Sequence, residues 1–175
     1  MNATKRVLVV YYSLTGNTAR VAKDLAKRLD ADIESIHDKG HGVGFLGQLT
    51  AAFDAWRKAA ARIGPIQCNP SQYEITLIGT PVWAWQMTPA IRAYLQTTGG
   101  RFHNVAFFIT SGNTEVEKIS PSLEALAKCK PIAVTGFNAR ELSNTAAYEA
   151  KVSRFVAAIN RAAASASTLQ RQLQP

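Results

Sequence analysis

The sequence predicts an α/β protein: a single domain built on a doubly wound, five-stranded parallel sheet in the order 2-1-3-4-5, with helices on both faces. Short apolar segments alternate along the chain with segments in which apolar residues recur at helical spacing. This alternation is typical of β–α–β units, whose right-handed crossovers place the strands parallel to one another. The predicted strands lie at about Arg6–Tyr12, Asp32–Ile36, Glu74–Gly79, Asn104–Thr110 and Pro131–Phe137.

Helix signals separate these strands. After the first strand, apolar residues recur on one helical face at Val21, Ala22, Leu25 and Leu29. After the third strand, Thr88 is expected to cap a helix that starts at Pro89 and stops at Gly99-Gly100. A further helix is predicted to begin at Ser120-Pro121. The last helix has its apolar face at Tyr148, Val152, Phe155, Val156 and Ile159.

Length and composition limit the class of protein. The 175 residues, 47% of them hydrophobic, suit one globular domain, which we place at residues 1–165 with a frayed polar tail at 166–175. No apolar run is long enough to span a membrane, and the first residues lack a signal-peptide pattern, so a cytoplasmic location is expected. Cys68 and Cys129 stand apart without metal-ligand spacing, which predicts reduced thiols and no metal site.

The formal net charge of +8 is high for a chain of this size. The basic residues are dispersed rather than collected into a Lys/Arg run, and no nucleic-acid-binding motif is present. We therefore expect a solvated basic surface that favours an acidic protein partner, and no binding of nucleic acid. Composition leaves the monomer and the homodimer both open.

The segment at residues 38–65, between the second and third strands, is longer than the bare fold requires. Glycines open it, and apolar residues then fall on one helical face at Leu46, Leu49, Phe53, Trp56, Ala60 and Ile63. The simplest interpretation is a crossover helix preceded by a long loop. The alternative is a partner-docking face with basic residues beside it at Arg57, Lys58 and Arg62. His37 and His41 are expected to be ordinary loop residues.

The junction after the first strand carries the clearest sign of a binding site. The apolar run Val7–Tyr12 leads into Ser13-Leu14-Thr15-Gly16-Asn17-Thr18, and a helical pattern follows at once. Backbone N–H groups at a helix N-terminus lack partners inside the helix and attract anions. The hydroxyl and amide side chains of this loop can donate further hydrogen bonds, and its glycine permits close approach. A phosphate monoester is the expected ligand, with a simple capped turn as the alternative.

Two other loops are predicted to lie at the same edge of the sheet. The third strand is followed by Thr80-Pro81-Val82-Trp83-Ala84-Trp85, in which an indole can stack on a planar ring. The fourth strand is followed by Thr110-Ser111-Gly112-Asn113, which can present backbone polar groups. In the order 2-1-3-4-5 the switch point lies between the first and third strands, where ligands bind beyond the carboxyl ends. Together the three loops predict a site for a phosphorylated planar heterocycle.

These motifs resemble those of the flavodoxin family. Ser13-Leu14-Thr15-Gly16-Asn17-Thr18 is similar to the flavodoxin phosphate loop, Thr/Ser-x-Thr-Gly-x-Thr. Gly79-Thr80-Pro81-Val82-Trp83 resembles the flavodoxin loop whose aromatic residue stacks on the flavin, and the similarity extends over roughly residues 5–165. The resemblance implies a flavodoxin-like fold and FMN as cofactor. It places the phosphate at Ser13, Thr15, Gly16, Asn17 and Thr18, and the isoalloxazine between the loops Thr80–Trp85 and Thr110–Asn113.

Two features depart from the family pattern. Flavodoxins are usually strongly acidic, whereas this chain is basic, so the redox partner is expected to differ. The family often supplies an aromatic residue from the loop after the fourth strand, but Thr110–Lys118 contains none. Either Trp85 covers the second face of the flavin or that face stays open to a substrate.

Other proteins of similar architecture lack support in the sequence. A response-regulator receiver needs an acidic phosphoacceptor at the end of the third strand, where Gly79-Thr80 stand instead. A low-molecular-weight tyrosine phosphatase needs a cysteine in the first loop, which has none. A dinucleotide-binding fold would carry Gly-x-Gly-x-x-Gly there, and only Gly16 is present.

Three functions stay open at this point. The first is an electron carrier that passes electrons between protein partners. The alternative is an FMN-dependent oxidoreductase that uses NAD(P)H or a quinone, and the third is a flavin-binding sensor or interaction module. No catalytic acid, base or nucleophile is predicted, since a flavin supplies the chemistry itself. A carrier should turn over little with NAD(P)H alone, whereas an enzyme should be reduced by it directly.

Overall fold

The computed structural model describes residues 6–39, 61–83, 85–112 and 116–172, with side chains up to residue 165. Its strands are β1 (Val7–Tyr11), β2 (Asp32–Ser35), β3 (Ile75–Trp83), β4 (Gln86–Met87), β5 (Val105–Ser111) and β6 (Pro131–Asn138). Its helices are α1 (Asn17–Leu29), α2 (Pro89–Thr98), α3 (Val116–Ala127), α4 (Ala139–Ser143) and α5 (Thr145–Gln172). A 3₁₀ turn at Pro70–Gln72 precedes β3.

The sheet has the strand order β2-β1-β3-β5-β6, with the short β4 paired to β3 alone. All pairs along this path are parallel, with Val9 opposite Leu77 and Leu77 opposite Ala106. The five predicted strands are therefore present, and their predicted order is confirmed. The parallel arrangement brings the carboxyl ends of β1, β3 and β5 to neighbouring positions on one edge.

An apolar layer covers each face of the sheet, so the strands are buried on both faces. One layer packs α1 and α5 against alternate residues of β1, β3 and β5, including Val9, Leu77 and Phe108. The other packs α2 and α3 against the residues between them, including Val10, Ile78 and Phe107. This period-two division explains why each strand appears in the sequence as a continuous apolar run.

The third strand is longer than predicted. It continues through Trp83, so the segment expected to be a loop from Thr80 onwards is extended backbone as far as Trp83. Val82 and Trp83 pair antiparallel with Met87 and Gln86 of β4. The prediction of a loop was wrong here because this two-residue partner strand stabilises the extended conformation, and so short a strand has no recognisable sequence pattern.

Two helix boundaries also differ from the prediction. Helix α3 begins at Val116 and contains Pro121, rather than beginning at Ser120-Pro121. Its start is set by packing, since Ile119 and Leu123 are buried on the face that covers the sheet. Helix α5 continues to Gln172, beyond the start of the tail that was expected to fray. The domain limits at 1–165 stay a prediction.

The ends of the long segment between β2 and β3 lie together. Asp38 and Ile63 form an antiparallel bridge, with Lys39 N donating to Arg62 O at 2.8 Å and Gly64 N to His37 O at 2.9 Å. The two ends of this segment are therefore held side by side, next to the end of β2. The predicted apolar helical face and its basic neighbours Arg57 and Lys58 fall almost wholly on residues 40–60, outside the described residues. Within the described part of the chain, no helix has the length and apolar character needed to cross a membrane.

Candidate functional site

The loop between β1 and α1 has the geometry of an anion-binding turn. Gly16 occupies the N-cap position with φ 91°, a left-handed conformation that other residues rarely adopt. Its N–H donates to Ser13 Oγ at 3.2 Å, which closes the loop on itself. The first hydrogen bond of the helix is donated by Arg20 N to Gly16 O at 2.9 Å. The amides of the three residues between them therefore precede the helical ladder and are oriented toward the loop.

The loop is open where a ligand would lie. A Cβ placed on Gly16 would have no atom of the described residues within 4 Å apart from its chain neighbours, so none of them fills the space beside it. Leu14, Thr15 and Asn17 are exposed, and Ser13 is half-buried. The first turn of α1 contains no acidic residue, so the positive end of the helix dipole is not neutralised. The donor set and the open space suit a phosphate group.

Thr18 differs from the other hydroxyl residues of the loop. Its side chain is 1% exposed, and its Oγ1 lies 2.7 Å from Oγ1 of Thr110, which is also buried. This hydrogen bond connects the first turn of α1 to the end of β5 across 92 residues of sequence. The structure thus uses the Thr18 hydroxyl to join two of the three predicted binding segments.

The carboxyl end of β3 lies between these segments. Tyr11 stands opposite Gly79, and Pro81 stands opposite Thr110. A Cβ on Gly79 would collide with the ring of Phe108, so only glycine fits against this neighbouring strand. Thr80 is fully buried, which makes its side chain part of the scaffold.

The hydroxyl of Thr80 ties the β3–β4 hairpin to α2. It accepts a hydrogen bond from Thr88 N at 3.2 Å and lies 3.2 Å from Thr88 Oγ1. Thr88 occupies the predicted N-cap position of α2, with Pro89 beginning the helix and Gly99 ending it. Its own hydroxyl makes no capping bond, and Thr80 accepts from the amide of Thr88 itself rather than from an amide of the first turn. The hairpin is therefore held by a buried pair of threonines.

The two tryptophans of the hairpin occupy different environments. Trp83 is half-buried at the end of β3, after Val82, which packs with the α2–α3 layer. Trp85 is 62% exposed in the turn, with φ 63°. Nζ of Lys118 lies 5.0 Å from the centroid of the Trp85 ring, within cation–π range. Ala84, between the two tryptophans, lies outside the described residues.

The third predicted segment lies at the end of β5. Thr110 and Ser111 are the last residues of that strand. Gly112 is exposed, and apart from its chain neighbours no atom of the described residues lies within 4 Å of its Cβ position. Asn113 lies outside the described residues. The described members of all three segments are thus brought to one edge of the sheet.

The ionisable groups at this edge include two that the sequence did not single out. Burial and the charge of Asp38 raise the pKa of Tyr12, so its phenol stays neutral beside the first loop. Lys118 lies over the exposed indole, although the sequence gives only its place near a helix start. Among the described residues, no group of three His, Cys, Asp or Glu side chains could hold a metal ion. Burial raises the pKa of Cys68 and Cys129, as expected for unreactive thiols.

The chain is similar to several proteins of known structure. A protein from Bacteroides uniformis ATCC 8492 superposes with a TM-score of 0.67 at 22% identity, over 77% of this chain and 91% of that one. A flavoprotein from Lactobacillus acidophilus NCFM, solved in complex with FMN, gives a TM-score of 0.60 at 21% identity, over 79% and 97%. The Trp repressor binding protein from Bacillus subtilis gives 0.54 at 12% identity, over 86% and 98%.

Similarity at this level is structural. No protein-family model and no curated protein sequence matches the chain. A flavodoxin from the domain Archaea superposes with a TM-score of 0.52 at 12% identity, covering 90% of this chain and 98% of the archaeal one. Together with the strand order, these similarities show that the chain adopts the flavodoxin-like α/β fold.

Proposed function

We propose that this protein binds FMN non-covalently and carries electrons between protein partners in the cytoplasm. The observation that carries the proposal is the β1–α1 loop, with left-handed Gly16 at the N-cap and open space beside it. This loop lies at the switch point of the sheet, next to the ends of β3 and β5. FMN supplies the redox chemistry when it is bound, and the protein supplies binding and orientation.

The phosphate of FMN fits the donors of the first loop. The exposed side chains of Thr15 and Asn17 and the half-buried Ser13 hydroxyl can donate to its oxygens, together with the free amides of the first turn. Thr18 contributes its amide, while its hydroxyl is engaged with Thr110. Leu14 contributes backbone only, and Gly16 shapes the loop, since its amide donates to Ser13 Oγ.

The flavin ring fits the edge formed by β3 and β5. We infer that Trp83 stacks on the ring, because it follows Thr80-Pro81 at the end of a rigid strand. Pro81, Val82 and the segment Thr110–Gly112 border the same space, and the buried Thr80 holds the hairpin in place.

Flavin titration tests the phosphate assignment. The fluorescence of FMN should be quenched when it binds. Riboflavin, which lacks the phosphate, should bind much more weakly. Several charge-assisted hydrogen bonds at roughly 1.5–3 kcal/mol each predict a difference of at least about 100-fold in Kd. Equal affinity for the two flavins would show that the loop is only a capped turn.

The stacking assignment is tested with the two tryptophans. Trp83→Ala should remove most of the quenching of flavin fluorescence, while Trp85→Ala, its matched control in the same hairpin, should retain it. The opposite pattern would assign the stacking role to Trp85 and make Trp83 part of the packing.

A second candidate function is an FMN-dependent oxidoreductase acting with NAD(P)H or a quinone. It is favoured by the exposed Trp85 and by the lack of an aromatic residue in Thr110–Lys118, which leaves room for a substrate beside the flavin. A carrier should show little consumption of NAD(P)H when a quinone is added to the FMN-loaded protein. Sustained oxidation of NAD(P)H together with reduction of the quinone would favour the oxidoreductase.

The basic charge bears on the carrier's partner. With a net charge of +8, the protein should associate faster with acidic redox proteins, and the association rate should fall as salt rises. Stopped-flow electron transfer at increasing ionic strength measures this. A rate that rises with salt would indicate a basic partner.

A further inference from the structure

Arg20 lies in the first turn of α1, directly after the loop proposed to bind the phosphate. Its N–H donates to Gly16 O at 2.9 Å, so its backbone makes the first hydrogen bond of that helix. Side chains of a helix lean toward its N-terminus, which directs this guanidinium toward the loop. A cation at the positive end of the helix dipole lowers the stability of the free protein. A negative charge bound at the loop would offset that cost.

Two uncharged groups hold the guanidinium in place. Arg20 Nη1 donates to the carbonyl oxygen of Leu142 at 2.9 Å, and the guanidinium carbon lies 4.8 Å from the centroid of the Tyr148 ring. Burial raises the pKa of Tyr148, so its phenol stays neutral. These two contacts therefore orient Arg20 without neutralising its positive charge.

The contact with Leu142 lies at the edge of the sheet that carries the loop. Leu142 belongs to α4, the short helix that directly follows β6. The end of β6 at Asn138 stands opposite Ser111 at the end of β5. The end of β5 in turn meets the first turn of α1 through the hydrogen bond between Thr110 and Thr18. The guanidinium is thus fixed beside the N-terminal end of α1.

Three carboxylates of α1, α4 and α5 are bound to other cations. Asp24 and Glu149 bind Arg28 at 2.9 and 2.6 Å. Glu141 binds Lys151 at 2.6 Å. Because these pairs form among themselves, the exposed Arg20 is left able to act on an ion at the loop.

From this arrangement we propose that Arg20 is a specificity-determining residue for the phosphate group. Its fixed positive charge makes the loop favour a doubly charged phosphate monoester over a singly charged ester of the same shape. The hydroxyl and amide donors of the loop bind oxygen atoms of either ester, whereas the attraction to Arg20 grows with the charge of the group. This inference rests on the proposed function, since it concerns the ligand of the same loop.

Three flavins that differ in charge test the proposal by fluorescence titration at pH 8 and low ionic strength. FMN carries two negative charges on its phosphate, riboflavin 5′-sulfate carries one on a group of nearly the same shape, and riboflavin carries none. Two unit charges roughly 8 Å apart near a protein surface change a binding constant about three-fold. Arg20→Gln should therefore weaken riboflavin 5′-sulfate about three-fold and FMN about ten-fold, and leave riboflavin unchanged. Equal losses for FMN and the sulfate would show that Arg20 only shapes the loop, and would overturn the proposal.

Two further variants separate the charge of Arg20 from its position. Lys27→Gln is the matched control, because it removes a positive charge from the same exposed face of α1, roughly 10 Å further along the helix. It should weaken FMN at most about two-fold, whereas a loss equal to that of Arg20→Gln would show a general charge effect and refute the proposal. Arg20→Lys keeps the charge and should retain most of the FMN affinity. A loss as large as that of Arg20→Gln would equally count against a role for the charge.

Inorganic phosphate separates this inference from the proposed function. Phosphate bound to the flavin-free protein at pH 8 should raise its melting temperature above that in chloride of equal ionic strength, and Arg20→Gln should reduce this rise more than Lys27→Gln does. If the chain does not bind FMN but this difference is found, the proposed function fails and the role of Arg20 stands. If FMN binds and Arg20→Gln keeps the wild-type ratio of Kd values for FMN and the sulfate, the proposed function stands and the role of Arg20 is refuted. If neither FMN nor phosphate binds, both fail.

Discussion

Removing the hydroxyl of Thr15 should weaken FMN binding, whereas removing that of Thr18 should lower stability, although both residues belong to the phosphate-loop motif. Thr15 is exposed, so Thr15→Val should weaken FMN without lowering the stability of the flavin-free protein. Thr18 is buried and bonded to Thr110, so Thr18→Val should lower that stability. Valine has the shape of threonine, which confines the change to the hydroxyl group.

The magnitudes follow from burial. In Thr18→Val the Thr110 hydroxyl, itself 4% exposed, loses its partner, which costs about 1–3 kcal/mol. In Thr15→Val one hydrogen bond to a charged phosphate is lost, which at roughly 1.5–3 kcal/mol weakens FMN about 10- to 100-fold. The double variant Thr18→Val/Thr110→Val removes both partners together and should recover most of the lost stability.

Urea unfolding of the flavin-free protein, followed by far-UV circular dichroism, gives the free energies for the double-mutant cycle. Fluorescence titration gives the Kd for FMN. The reasoning is refuted if Thr18→Val keeps the wild-type stability and weakens FMN as strongly as Thr15→Val does. That result would mean that the Thr18 hydroxyl binds the phosphate directly.

Two further predictions concern the scaffold. Gly79→Ala places a methyl group in the ring of Phe108 and should cost about 1–3 kcal/mol of unfolding free energy, whereas Gly112→Ala, with open space at its Cβ, should stay within about 0.5 kcal/mol. Burial opposes ionisation of Glu141, but the hydrogen bond from Lys151 (2.6 Å), the hydrogen bond from Asn138 N and the charge of Lys151 together outweigh it, so the pKa is lowered. This pair therefore stabilises the fold above the unfolded pKa of about 4.3, and the benefit disappears as pH falls through the lower folded pKa. The melting temperature of Glu141→Gln should fall less than that of wild type between pH 5 and pH 3; parallel losses would contradict this.

The strands could be predicted from the sequence because both of their faces are buried. In β1 and β5 this burial leaves runs without polar interruption, such as Val7–Tyr11 and Val105–Ile109, which no surface helix would show. The end of β3 could not be predicted in the same way. Pro81 indicates a turn when it is considered alone, and only the pairing of Val82 with Met87 and of Pro81 with Thr110 makes this segment a strand.

The start of α3 shows that local sequence preference does not always predict where a helix begins. The prediction placed Pro121 in the first turn, where proline is favoured, but the helix begins at Val116 and includes the proline. Burial of Ile119 against the sheet compensates for the hydrogen bond that proline cannot donate. Local preference was overridden by packing against strands that are distant in the sequence.

For the candidate site, the sequence predicted which segments meet but not how their side chains are used. The motif assigns the same role to every hydroxyl between Ser13 and Thr18. Ser13 and Thr15 lie in the loop before α1, whereas Thr18 lies within the helix, on the same face as the buried Val21, Ala22 and Leu25. A bond to Thr110 then follows from the fold, because β5 ends beneath that helix face.

The directions of the two tryptophans in the β3–β4 hairpin bear on whether the protein is a carrier or an enzyme. Successive residues of a strand point to opposite sides, so Trp83 is directed away from the α2–α3 layer into which Val82 packs. The left-handed backbone at Trp85 turns the second indole back toward α3 and Lys118. One short hairpin thus carries one indole at the proposed flavin edge and a second, exposed indole that faces α3. A protein that only carries electrons between proteins needs an indole that stacks on the flavin, whereas an oxidoreductase also needs room beside the flavin for its second substrate.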